Sequence, residues 1–189
     1  METKDTIVSA ACELVHEDGV GAVTVAGVAA RADVSSALVH YHFGTKGKLL
    51  LAAAERIARS RLESRSTALA EHGGLQTLDV LWSALSSGTG WRVERSWHDL
   101  AVLARDAPAV RAILDVSRRS ELQTMTESLP RLLAALGAAP TVPADELASV
   151  VQAFLDGLVL QLDAGAPAPE VRTAFDAFWL AIVAGVPEP

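Results

Sequence analysis

Between residues 35 and 46 the chain places Ser35-Ser36-Ala37-Leu38, then His40-Tyr41-His42, then Lys46. These are hydrogen-bond donors with no nucleophile–base pair among them. Serine hydroxyls and the unpaired N–H groups at the start of a helix suit phosphate oxygens and base edges, and a small Ala37 permits close approach. Three ring donors follow, and the ammonium of Lys46 extends the reach to an anionic backbone. Thr24 adds one more hydroxyl ahead of the group. His40 and His42 lie two positions apart and point to different sides of a helix, so they do not form a metal pair. A lone cysteine, Cys12, can make neither an internal disulfide nor a thiolate cage. His98 and Asp99 are adjacent, about 100° apart on a helix, and form no relay. There is no phosphate-cradling glycine loop, no His-Glu-x-x-His and no nucleophile elbow. No catalytic residue, metal or cofactor is therefore expected, and an enzyme on an all-α scaffold is the weakest reading.

A second chemistry is available further on. Trp82, Trp91 and Trp97 are three of four tryptophans, and they fall within 16 positions. Large flat rings with one N–H each suit the wall of an apolar ligand cavity, although they serve equally well as core filler. The pocket reading selects Trp82, Trp97, Leu100, Leu122, Met125 and Phe154, with Arg95, His98, Arg118 and Gln123 as polar companions.

Helices must position both groups, because the apolar period is near 3.6 throughout. Ile7, Ala10, Ala11, Leu14 and Val15 make one amphipathic face, ended by Gly19. Thr24 caps a short second helix and Ser35 a third that runs to about His42. A long helix extends from Lys46 to about Glu71 and breaks at His72-Gly73-Gly74. Helices are expected over 75–87, 91–105, 109–136 (kinked or split at Pro130), 145–164 and 169–184. No stretch alternates with period two, so the fold class is all-α. Two short helices braced by a preceding one make a three-helix helix-turn-helix unit in residues 1–46, and residues 47–189 form a second helical domain. In the last two helices the apolar stripes are wider than one core face requires. Val151, Phe154, Leu158 and Leu162, with Phe175, Phe178, Trp179 and Ile182, are expected to build a four-helix interface between two copies. Burial within one subunit is the competing reading.

Charge narrows the partners. The 189 residues carry 16 bases and 23 acids, a net charge of −7, which at first sight argues against an anionic partner. Residues 1–45 hold two bases against six acids, net −4, and residues 46–65 hold six against two, net +4. The acidity therefore lies elsewhere than at the start of the long helix, and few phosphate contacts with steep salt dependence are expected. Within that block Arg56, Arg59, Arg61 and Arg65 read as a solvated helix face. No apolar run reaches about 18 residues, so no membrane span is expected. A cytoplasmic, reducing location fits the single cysteine.

The run Thr24-Val25-Ala26-Gly27-Val28-Ala29, then Val34-Ser35, Val39-His40-Tyr41-His42-Phe43, Lys46 and Leu49, resembles the N-terminal domain of the tetracycline-repressor (TetR) family, without a gap over about 45 residues. The resemblance implies a homodimer on a palindromic double-stranded DNA operator, released by a small-molecule effector bound in the C-terminal domain. It puts the DNA contacts on Thr24, Ser35, Ser36, Ala37, Leu38, His40, Tyr41, His42 and Lys46. Four positions depart from the pattern: Asp33 and Ala37 stand where glycine is usual, His40 where tyrosine is usual, and Leu38 where a polar residue is common. Asp33 tolerates a left-handed backbone but adds negative charge near DNA. The alternative is a helical ligand-sequestering protein that has lost operator binding. Repression and activation are both compatible with these residues.

Overall fold

The computed structural model describes residues 3–70 and 73–185. Its helices are α1 (Thr3–Asp18), α2 (Val25–Arg31), α3 (Ser36–Phe43), α4 (Lys46–Ala70), α5 (Leu75–Ser86), α6 (Gly88–Leu103), α7 (Pro108–Ala135), α8 (Ala144–Asp163) and α9 (Ala168–Ala184), with a short 3-10 turn at Val20–Ala22. No strand occurs among the described residues, and the architecture is all-α. None of these helices is long and apolar enough to cross a membrane.

Local chemistry explains the boundaries of the first helices. Thr24 takes an extended backbone and its Oγ1 accepts from the N–H of Gly27 at 3.0 Å. Ser35 repeats the device, accepting from Leu38 N–H at 3.2 Å. Each cap satisfies a donor that the helix start would leave unpaired. Gly27 weakens α2 by about 1 kcal/mol relative to alanine, and its place follows from the cap. A Cβ there would lie 3.0 Å from Thr24 Oγ1. Asp33 adopts φ of 54°, the left-handed turn that glycine usually supplies.

Two differences from the period-based boundaries stand out. Pro130 lies inside α7 without ending it. α6 begins at Gly88, although Gly88 and Gly90 read as a break after α5. The reason is a close approach: a Cβ on Gly90 would lie 2.2 Å from the carbonyl oxygen of Ala84, so only glycine fits. The expected end of α4 at Glu71 and His72 lies outside the described residues.

The helices gather into two compact units, one of residues Met1–Arg61 and Arg92–Ser117, the other of Leu62–Trp91 and Arg118–Pro189. The first does not close at residue 46, because Leu49, Ala53 and Ile57 of α4 share a core with Ile7, Ala11, Val28, Val39 and Phe43, and Trp97 and Leu100 of α6 complete it. The second packs Leu81 and Leu85 of α5, Met125 and Leu129 of α7, Val151, Leu155 and Leu158 of α8 and Phe175 and Trp179 of α9.

Candidate nucleic-acid interface and the second helical unit

α3 buries only Val39 and Phe43, which anchor it to α1, α2 and α4. Ser36, Ala37, His40 and Tyr41 consequently face outward, and Leu38 and His42 are half-buried. Tyr41 is 83% exposed, which no packing requirement explains for the chain's single tyrosine. Thr24, Ser35 and Lys46 are exposed as well, so all nine residues singled out in the sequence have accessible atoms. The capping hydroxyls of Thr24 and Ser35 act there as acceptors, which leaves their O–H bonds able to donate.

His40 has a specific electrostatic property. Its Nδ1 lies 3.1 Å from the carbonyl oxygen of Gly44, which can only accept, so Nδ1 carries the proton.

Two cations that the motif did not single out join this surface. Lys4 places its ammonium 5.9 Å from the centre of the Phe43 ring. Lys48 lines a groove of about 450 Å³ together with Lys4, Tyr41, His42 and Gly44, with Glu55 at its edge. Charge counting over residues 46–65 contained Lys48, but only the fold sets it beside Tyr41. The arginines behave otherwise. Arg31 is committed to Glu17 at 2.5 Å and Glu13 at 3.4 Å. Its hydrogen bond holds the Glu17 carboxyl below the usual range. Arg56 bonds Ser9 Oγ at 2.7 Å and Asp5 Oδ1 at 2.8 Å.

Arg61 and Arg65 correct the reading of a solvated helix face, since both are 1% exposed. Arg61 Nε donates to Glu94 Oε2 at 2.9 Å. Arg65 pairs with Glu121, and with Asp156 at 3.1 Å, while Gln152 donates to the other oxygen of Glu121 at 2.8 Å. A buried guanidinium is tolerable only with such partners.

The six residues expected to line a pocket separate between the units. Trp97 and Leu100 are core residues of the first, and the Trp97 ring face is covered by Arg61. Trp82, Leu122, Met125 and Phe154 pack in the second, Met125 fully buried. A cavity of about 670 Å³ in the second unit has other walls: Leu75, Leu78, Ala135, Leu136, Arg172, Asp176, Trp179, Leu180 and Val183. On α8 and α9, Val151, Leu158, Phe175 and Trp179 are buried in the core of the second unit instead of on an outer face. Phe154, Leu162, Phe178 and Ile182 remain half-buried, with Phe154 and Phe178 stacked at 3.7 Å between ring centres. Val150 and Leu160 on α8 are both over half exposed.

Comparison with known proteins agrees with this geometry. Residues 7–53 match the family model described as bacterial regulatory proteins, tetR family. The HTH-type transcriptional regulator BetI of Brucella melitensis is 26% identical over 171 residues, covering 89% of this chain and 83% of its own. A TetR-family transcriptional regulator from Rhodococcus shares the fold with a TM-score of 0.75 at 19% identity, over 95% of this chain and 98% of that one. A transcriptional regulator from Saccharomonospora viridis, solved in complex with choline, superposes with a TM-score of 0.77 at 22% identity, over 93% and 94% of the two chains. The relatives are named as regulators, not enzymes. The capped α2–turn–α3 pair lies wholly inside the segment that matches the tetR-family model, so the head of this chain is similar in sequence, and the chain in fold, to regulators of that family.

Proposed function

We propose that this regulator is a repressor that binds a palindromic operator as a cytoplasmic homodimer and is released by a small, largely apolar effector. The observation that carries the DNA reading is the exposure of Tyr41 and His40 on a helix whose other face is fully anchored. Residues 1–46 supply the contacts, with Thr24, Ser35 and Lys46 on phosphates and Ser36, Ala37 and Leu38 toward base edges; Leu38 offers methyl groups to a thymine. Residues 47–189 supply the effector site and dimer face. The stacked Phe154–Phe178 pair, flanked by exposed Val150, Ala153 and Leu160, supports a four-helix contact between two copies. The choline complex of the Saccharomonospora regulator supports a small-molecule effector as a class.

The mechanism is a population shift. Effector binds more tightly to a conformation in which α4 carries the two heads out of groove register, and a tenfold loss of operator affinity requires about 1.4 kcal/mol of differential binding. The test is a titration of genomic fragments at low salt with light scattering of the complex. Dimer-sized complexes on palindromic sites are expected, lost in Tyr41→Ala and Lys46→Ala. Absence of any DNA complex, with ligand binding retained, would establish the sequestering protein instead.

A further inference from the structure

Most of the positive charge in the first third of the chain is committed inside the protein. Of the bases in residues 1–65, the four arginines Arg31, Arg56, Arg61 and Arg65 are held by carboxylates. Arg59 is exposed but follows Lys48 by 11 residues, roughly 16 Å along the axis of α4. Lys4, Lys46 and Lys48 remain, all exposed and none in an ion pair among the described residues.

These three lysines divide between two sides of α4. Lys46 and Lys48 are two positions apart, about 200° around the helix. Lys46 lines a groove with Gly19, Gly21 and Asp99, whereas Lys48 lines the other groove with Lys4, Tyr41 and His42. The Lys4 ammonium sits 5.9 Å from the centre of the Phe43 ring, and the carboxylate of neighbouring Asp5 is held by Arg56 at 2.8 Å. Glu55 is the one carboxylate lining the Lys48 groove, and two ammonium groups against it leave the lining net positive. With the hydroxyl of Tyr41, 83% exposed, these groups form a donor set for an anionic oxygen.

We infer that Lys48, together with Lys4, holds a backbone phosphate of duplex DNA distinct from the one at Lys46. Through Tyr41 and His42 the groove continues the exposed face of α3, so the polymer that meets α3 also fills it. A duplex carries one anion per strand about every 3.4 Å of axis, so cations on different sides of a helix about 10 Å wide meet different phosphates. The inference rests on the operator-binding reading and extends the contact surface beyond the residues that the resemblance assigned.

Anisotropy titrations of the full chain with a labelled mixed-sequence duplex, repeated over a range of potassium chloride, give the slope of log affinity against log salt. Each lost phosphate contact should reduce its magnitude by about 0.9 per bound subunit. Lys4→Gln and Lys48→Gln combined should remove one such step, and adding Lys46→Gln a second. Lys48→Arg restores the charge and should recover the slope, while Arg59→Gln should leave it unchanged. Should a variant unfold, ammonium spectra of the unsubstituted chain decide: shifts of Lys4 and Lys48 on adding duplex support the site. A slope indifferent to Lys4 and Lys48, an equal effect of Arg59→Gln, or shifts with inorganic phosphate and none with duplex would each overturn it. If the unsubstituted chain binds no duplex, the operator reading falls as well. Binding with the slope unchanged in the lysine variants overturns this inference alone.

Discussion

The guanidinium of Arg61 lies over the ring of Trp97, 4.5 Å from its centre, with both side chains buried and Glu94 closing the charge from the same helix as the tryptophan. The arginine thus occupies the aromatic face that a ligand would otherwise need. Glu94→Ala would leave a buried cation short of its carboxylate and should destabilise the fold by about 3–5 kcal/mol. Arg61→Met combined with Glu94→Leu should recover most of that loss, because both charges leave together. Urea unfolding of the three chains checks this. A double variant as unstable as the single one would contradict it.

Asp33→Asn should tighten DNA binding by a few-fold at low salt while leaving stability unchanged. Asparagine tolerates φ of 54° as aspartate does, so the substitution removes charge alone. Asp33→Ala also removes the charge but should cost about 1 kcal/mol from the left-handed turn. Fluorescence anisotropy and thermal unfolding separate the two effects, and identical affinity in all three chains would show that the carboxylate is electrostatically remote from DNA.

Gly90→Ala should destabilise the second unit by about 1–3 kcal/mol through overpacking, since the new methyl would meet the Ala84 carbonyl 2.2 Å away. Backbone cannot rotate aside as a side chain can. An unchanged unfolding midpoint would mean that the start of α6 moves freely.

Stability should fall at acidic pH through His16. Burial lowers its pKa from the ordinary 6.5, the desolvation outweighing the opposing influence of the Arg92 carbonyl and of Glu13 and Glu17. Its Nδ1 lies 2.6 Å from Ser96 Oγ, and that hydroxyl donates to the Arg92 carbonyl at 2.8 Å. The unfolded chain takes up the proton more readily, so this contribution is complete above the ordinary pKa and is lost as pH falls through the folded one. Unfolding midpoints for the unsubstituted chain and His16→Gln, compared between about pH 8 and about pH 5, should converge on acidification. Parallel curves would assign the pH dependence to other groups.

Cys12 should resist alkylation in the folded protein. Burial pushes its thiol up to about 11, with Arg56 lowering it and Glu13 raising it, and its Sγ–H points to the Ala53 carbonyl at 3.7 Å. Thiolate is the reactive form, so iodoacetamide at neutral pH should label the chain only in urea. Rapid labelling of the native protein would show that α1 opens from α4.

The sequence by itself determined whatever depends on near neighbours along the chain. Thr24 and Ser35 bond N–H groups three residues ahead, so helix starts and the outward face of α3 are legible from spacing. The matched segment, residues 7–53, is of this kind, compact and read from contiguous residues. The roles of the arginines on α4 were decided only by tertiary structure. Arg61 and Arg65 have the spacing of a solvated stripe, yet their carboxylates, Glu94 and Glu121, come from 33 and 56 residues away. The same physics separated Trp97 from Trp82 and turned Val151, Leu158, Phe175 and Trp179 inward. A helical period gives the width of an apolar stripe, whereas which part of it meets its own core is fixed by where the other helices pack.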